Sequence, residues 1–112
     1  MCFVAFFLVL ATVKAQYLSG PNGKWDWDGR ILKNYNNSSI KWEWDGRIIK
    51  NYHNSSIKWE WDGRILKNYH NSSEKWEWDG RYLKNYHNSS QKYELPSGAP
   101  VAVWAVVYGI IN

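Results

Sequence analysis

The sequence predicts an all-β protein made of tandem 17-residue β-hairpin repeats. Three observations carry this reading. The stretch K-W-E-W-D-G-R-I-I-K-N-Y-H-N-S-S-I, Lys41 to Ile57, returns as Lys58 to Glu74 with 15 of 17 positions identical. Four copies begin at Lys24, Lys41, Lys58 and Lys75, and a fifth stops after Lys92-Tyr93-Glu94-Leu95. Every full copy joins a Trp-x-Trp alternation, an Asp-Gly pair and a run rich in β-branched and aromatic residues, the pattern of strand, tight turn and strand. Near-identical copies make one local structure, repeated, the expected outcome.

Residues 1–15, MCFVAFFLVLATVKA, come first. They are apolar from Cys2 to Val13 and place Val13 and Ala15 at the −3 and −1 positions of a cut after Ala15, which is a signal-peptide pattern and predicts secretion. The run is shorter than the roughly 20 apolar residues a spanning helix needs. An uncleaved anchor or a buried first strand is the rival reading. Cleavage would leave residues 16–112 and, by removing Lys14, lower the formal charge of +4 by one. The single cysteine, Cys2, would leave with the signal. The mature chain would then be held together without a disulfide, and nine Trp and eight Tyr are the means, since each large aromatic buries about 150–250 Å². Its basic residues are interleaved with Asp and Glu, unlike the clustered basic stripe of a nucleic-acid binder.

Residues 16–23 form a turn-rich lead-in, with Ser19-Gly20-Pro21-Asn22-Gly23 as the turn. Residues 24–91 hold the four full repeats. In each, the segment equivalent to Trp42-Glu43-Trp44 is the outgoing strand, Asp45-Gly46 a type I′ turn, Arg47 to Tyr52 the return strand, and His53-Asn54-Ser55-Ser56 a second turn. A two-residue Asp-Gly loop sets Trp44 opposite Arg47 and Trp42 opposite Ile49, with both tryptophans on one face. It also sets Lys41 opposite Lys50, an unfavourable pair that a bulged three-residue loop would relieve. Helix is disfavoured, because Gly46 and the Asn-Ser-Ser clusters would interrupt it every few residues. Residues 92–112 comprise the truncated repeat, a turn over Pro96 to Pro100, and Val101 to Tyr108 as a buried strand or strand pair. Exposed, that uncharged segment would be an aggregation hazard.

The tryptophan pairs Trp25/Trp27, Trp42/Trp44, Trp59/Trp61 and Trp76/Trp78 admit two uses. Flat indoles beside Asp, Arg and Asn suit the apolar face and polar edges of a sugar ring, and large aromatics also dominate small cores. At least one Trp of each pair is expected in the core. His53, His70 and His87 each stand alone in a turn, without a local partner at ligand spacing, and read as solvated turn residues. No metal or cofactor is required. Catalysis finds no support, since an active site needs unlike residues converging once, whereas here Ser, His and Asp recur in nearly every copy. Asn-x-Ser sequons at Asn36, Asn37, Asn54, Asn71 and Asn88 are potential N-glycosylation sites on the inter-repeat turns, and Asn-Ser-Ser is also ordinary turn chemistry.

The run K-W-E-W-D-G-R-I-L-K-N resembles the stretch around the Q-x-W motif of ricin-type (ricin B) β-trefoil lectins. Asp62-Gly63-Arg64-Ile65 with Asn68 follows that pattern, and Gln91-Lys92-Tyr93 supplies a Q-x-aromatic. Leu95-Pro96-Ser97-Gly98-Ala99-Pro100-Val101-Ala102-Val103-Trp104, followed by Tyr108-Gly109 and Asn112, is similar to that family's C-terminal run. The resemblance implies a partial β-trefoil-like arrangement as an alternative to an up-and-down array. It also implies a carbohydrate site on Glu94, Trp104 and Asn112, and a core role for Trp42 and its equivalents.

The expectation is therefore a secreted, lectin-like repeat protein that binds carbohydrate or glycoconjugate weakly, aided by avidity. It is expected to have no nucleic-acid partner and no stable membrane insertion, and homo-oligomerisation would enlarge a modest core. The rival is a non-catalytic, self-assembling structural protein of an extracellular layer. A membrane-active peptide is disfavoured by the acidic residues in every repeat.

Overall fold

The computed structural model describes residues 16–21 and 23–112, so the expected signal peptide lies outside the described residues. Ten strands follow one another: β1 (Gln16–Gly20), β2 (Gly23–Trp27), β3 (Ile31–Asn34), β4 (Lys41–Trp44), β5 (Ile48–Asn51), β6 (Lys58–Trp61), β7 (Ile65–Asn68), β8 (Lys75–Trp78), β9 (Tyr82–Asn85) and β10 (Asn88–Glu94). They form one antiparallel sheet in sequence order from β1 to β10. Among the described residues one helix, α1 (Val101–Val107), follows β10. Of the two arrangements expected, the linear order displays the up-and-down array.

The hairpin register differs from the expected one by two residues. Trp44 lies opposite Ile49, Glu43 opposite Lys50 and Trp42 opposite Asn51. Asp45 is the cause. Its Oδ1 accepts the backbone N–H groups of Arg47 at 2.9 Å and Ile48 at 2.7 Å, so the carboxylate stands before the turn instead of inside it. Gly46 and Arg47 become the central residues, with φ of +99° at Gly46 and no positive φ at Arg47. Glycine supplies that positive φ without steric cost, and with Arg47 at negative φ the expected type I′ turn is not formed. The same shift replaces the feared Lys41–Lys50 pair with Glu43 opposite Lys50. Both tryptophans still share a face, because a two-residue shift preserves side-chain parity.

Like charges do meet at the joints between repeats, where Lys33 lies opposite Lys41 and Lys50 opposite Lys58. The outgoing-strand lysines turn away over aromatic rings. The Nζ of Lys41 lies 4.5 Å from the Tyr52 ring centre and that of Lys58 lies 4.3 Å from the Tyr69 ring centre. Such contacts contribute about 0.5–1 kcal/mol at exposed sites. At the joint, Asn51 Oδ1 accepts the N–H groups of His53 and Asn54, and Asn54 Oδ1 accepts the N–H and Oγ–H of Ser56. Two Asx turns thus define the loop.

One face of the sheet is the core. Ile49 is flanked across strands by Trp44 and Trp59, Leu66 by Trp61 and Trp76, and Leu32 by Trp27 and Trp42. The aliphatic residue between each indole pair is fully buried. Ala102 to Val107 of α1 belong to the same apolar cluster and are buried as well. The sheet must curve to enclose them. Nine inter-strand spacings of about 4.8 Å make a sheet about 43 Å wide. Yet Leu95, bonded to the Arg81 carbonyl beside β9, is only three residues from Gly98, whose carbonyl accepts the Gln16 side-chain N–H at 3.2 Å in β1. Three residues span at most about 11 Å, so the two ends of the sheet bend toward each other around α1.

The expected C-terminal strand is a helix, and its position explains why. A segment apolar on all sides must be buried on all sides. On the concave face the segment meets side chains rather than a backbone edge with which to form a β-ladder, whereas a helix satisfies its own backbone. The Pro100 carbonyl accepts the N–H groups of Val103 and Trp104. At the other end Gly109, with φ +73°, donates to Val106 and Ile110 donates to Ala105, the paired bonds of a Schellman motif. α1 rests on β1 and β2. There Gly20 is required by space, since a Cβ would stand 2.7 Å from the Val107 carbonyl oxygen. Gly20→Ala is expected to lower stability by about 1–3 kcal/mol, read as a shift in the urea unfolding midpoint.

Candidate functional site

The last residues leave α1 and run along the concave, tryptophan-lined face, creating two clefts. The larger, about 570 Å³, is bounded by Trp59, Trp76 and Asn85 on the sheet, by Glu74 and His87 from the inter-repeat turns, and by Asn112. The smaller, about 290 Å³, lies on the earlier repeats and is lined by Trp25, Ile40, Trp42, Asn51, Val106 and Asn112. Equivalent strand positions therefore build both. They differ at a residue that varies between copies: Ile40 faces the smaller cleft where Glu74 faces the larger. One cleft is apolar and the other has an indole wall with polar edges.

The polar edge of the larger cleft is held in place by bonds within the chain. Asn68 Nδ2 donates to Glu74 Oε1 at 3.0 Å, and Asn85 Nδ2 donates to Gln91 Oε1 at 3.1 Å. His87 Nε2 is 2.9 Å from the Ser73 carbonyl oxygen, and because a carbonyl only accepts, this nitrogen carries the proton. The ring ties the fourth inter-repeat turn to the third. Among the described residues, the buried indole N–H groups of Trp25, Trp59 and Trp104 have no partner in the chain.

The three residues expected to hold sugar are not brought together. Glu94 is exposed at the end of β10 and accepts the Arg81 Nε–H at 2.9 Å. Trp104 is turned inward, 5% exposed, in edge-on contact with Tyr108. It moves from the expected surface platform into the core because its segment is a helix enclosed by the sheet. Asn112 alone of the three lines a cleft, and it lines both. Trp42 and its equivalents Trp25, Trp59 and Trp76 are buried, and Trp44, Trp61 and Trp78 are half-buried. His53, His70 and His87 and the sequon residues Asn36, Asn37, Asn54, Asn71 and Asn88 are exposed on the joints.

Sequence reasoning missed a row of tyrosines. Tyr35, Tyr52, Tyr69 and Tyr86 are each about half exposed, and each carries a lysine over its ring. His53, His70 and His87 meet the last three rings edge-on. Successive rings are two strands apart, about 9.5 Å. The signal is the one Tyr that follows Lys-Asn in each copy.

The opposite ends of the hairpins carry charge. Arg30, Arg47, Arg64 and Arg81 pair with Glu43, Glu60, Glu77 and Glu94 of the next outgoing strand; exposed pairs of this kind contribute little. The turn aspartates matter more for pH dependence. Backbone N–H bonds from Ile48, Ile65 and Tyr82 are the largest influence on Asp45, Asp62 and Asp79 and hold their carboxyls below the ordinary value. At Asp28 partial desolvation pulls upward, and two N–H bonds with nearby cations outweigh it. A carboxyl with a depressed folded-state pKa stabilises the fold above its unfolded value of about 3.9, and that contribution disappears as pH falls through the folded value. The melting temperature is therefore expected to be flat near neutrality and to fall below about pH 4. Asp62→Asn should flatten that acid limb in a thermal melt series.

Among the described residues, no three His, Cys, Asp or Glu side chains converge as a metal site, and no helix is long and apolar enough to cross a membrane. No family model matches the chain, and no curated protein or solved structure matches it.

Proposed function

We propose that the protein is a secreted, non-catalytic carbohydrate-binding protein whose primary site is the larger cleft. The observation that carries this reading is the composition of that cleft: Trp59 and Trp76 wall a space bordered by Glu74, Asn85, His87 and Asn112. A sugar ring offers an apolar face to an indole and hydroxyls to amide, carboxylate and imidazole groups, and concave sites of this size with a few convergent polar groups are the usual ligand sites. The resemblance to ricin-type lectins points to the same ligand class. The tyrosine row adds shallow platforms at a spacing close to one disaccharide of an extended polysaccharide. Weak contacts of that kind become effective through avidity.

The test is retention on insoluble polysaccharides and a glycan panel, with release by free sugar. His87→Ala and Asn112→Ala change partly exposed polar groups and are each expected to weaken binding about fivefold, the loss of one hydrogen bond of about 1 kcal/mol. Tyr52→Ala combined with Tyr69→Ala is expected to weaken binding to polymer and leave binding to a short oligosaccharide unchanged. Absence of any retained glycan, or equal retention by all these variants, refutes the assignment.

A further inference from the structure

The two edges of the sheet are two halves of one repeat. β10 carries Lys92-Tyr93-Glu94-Leu95 where the preceding copy carries Lys75-Trp76-Glu77-Trp78, so it is an outgoing strand whose return strand is missing. β1 is the converse. Leu18 lies opposite Trp25 as Leu32 lies opposite Trp42 and Leu66 opposite Trp76. Tyr17-Leu18-Ser19-Gly20 is thus a return strand, and among the described residues no outgoing strand precedes it. Among the described residues, neither strand has a partner on its outer side. Every residue of β10 is exposed.

We propose that β10 of one copy pairs with β1 of another, so that two chains together build the hairpin that neither contains whole. The repeat sets the register. Trp78 opposite Leu83, Glu77 opposite Lys84 and Trp76 opposite Asn85 translate into Leu95 opposite Leu18, Glu94 opposite Ser19 and Tyr93 opposite Gly20. Backbone direction agrees. The Leu95 N–H is used inward, toward Arg81, and antiparallel strands alternate the side to which they bond, so Glu94 directs its N–H and C=O outward. The side chains agree as well. Leu95 meets Leu18 on the apolar face, and Glu94 meets Ser19 without the like-charge contact of the internal joints. Pro21, which has no N–H, ends the seam on one side. Within one chain the two edges are not neighbours: β1 and β10 stand at opposite ends of the strand order, with Gln16 bonded to Gly98 and Gly20 packed on Val107 at the core face of β1. Pairing between copies either closes as a two-fold dimer with two seams or extends as a filament.

Sedimentation of the purified protein across a concentration series, with circular dichroism as the folding control, reads the association. The native protein is expected to form dimers or longer assemblies. Glu94→Pro removes an outward N–H and is expected to weaken self-association about tenfold or more with an unchanged spectrum. Cross-linking gives the register independently of that variant. In a Cys2→Ser background, Ser19→Cys protein mixed with Glu94→Cys protein should oxidise to a mixed disulfide dimer, because directly opposed residues of a bonded pair lie within disulfide reach. A chain that stays monomeric at all concentrations, or a Ser19→Cys, Glu94→Cys double variant that oxidises only within itself, overturns the proposal.

Discussion

Trp104→Ala is expected to destabilise the protein by about 3–5 kcal/mol. Trp104 lies in the middle of α1, 5% exposed, with the other buried residues of the helix around it. Truncation leaves a cavity at the centre of the curved sheet, where neighbours bonded into a ladder collapse poorly. One effect opposes this, since the variant also removes a buried indole N–H that has no partner in the chain, which places the loss toward the lower end of the range. Against a total of about 5–15 kcal/mol for a small domain, the change is large, and the melting temperature should fall by about 12 °C or more. Trp104→Phe should recover most of it. A thermal melt indistinguishable from the native one, together with lost sugar retention, would return Trp104 to the surface role that the lectin resemblance implied.

Leu66→Ala is the second large effect, about 2–5 kcal/mol. Leu66 is fully buried between Trp61 on one neighbouring strand and Trp76 on the other. Its sequence neighbour Ile65 points to the opposite face, beside Glu77, and is only half-buried. Ile65→Ala should therefore cost about 1 kcal/mol, because little apolar area leaves water there. The contrast between adjacent residues, read from denaturant midpoints, tests the face assignment directly. Equal losses at the two positions would mean that both faces are covered, as they would be if an assembly buried the outer face.

Much of this fold was legible because it is local. Trp-x-Trp alternation, a single glycine and the β-branched return strand define a hairpin without reference to the rest of the chain, and the repeat multiplies it. The register was less legible by two residues. Asp-Gly reads as the turn itself, but the Asp45 side chain captures the N–H groups of Arg47 and Ile48, and a side-chain hydrogen bond of that kind is invisible to a pattern of apolar residues. The C-terminal segment was misread for another reason. Val101 to Val107 are mostly β-branched and favour a strand by propensity. The cues for a helix, Pro100 before the run and Gly109 after it, are short-range and were present. What outweighed propensity was the destination of the segment, the interior of the curved sheet.

The candidate site was less legible still. Asn112 was singled out for one reason and lines the cleft for another, and Glu94 and Trp104 lie elsewhere. A cleft made by a chain terminus folding back over distant repeats depends on bringing together residues far apart in sequence, such as Asn112, Trp59 and Asn85 around one space. Pairwise patterns within one repeat carry no information about them.

By itself, the amino-acid sequence determined the repeating hairpin, the single face shared by both tryptophans and the placement of the turns, because these follow from alternation and from backbone preferences within a few residues. Only the tertiary structure decided that the sheet curves, that the last apolar segment becomes the helix inside it, and that two half-repeats are left at open edges. Those outcomes depend on burying one continuous apolar face from water, a property of all the strands together and of no single repeat.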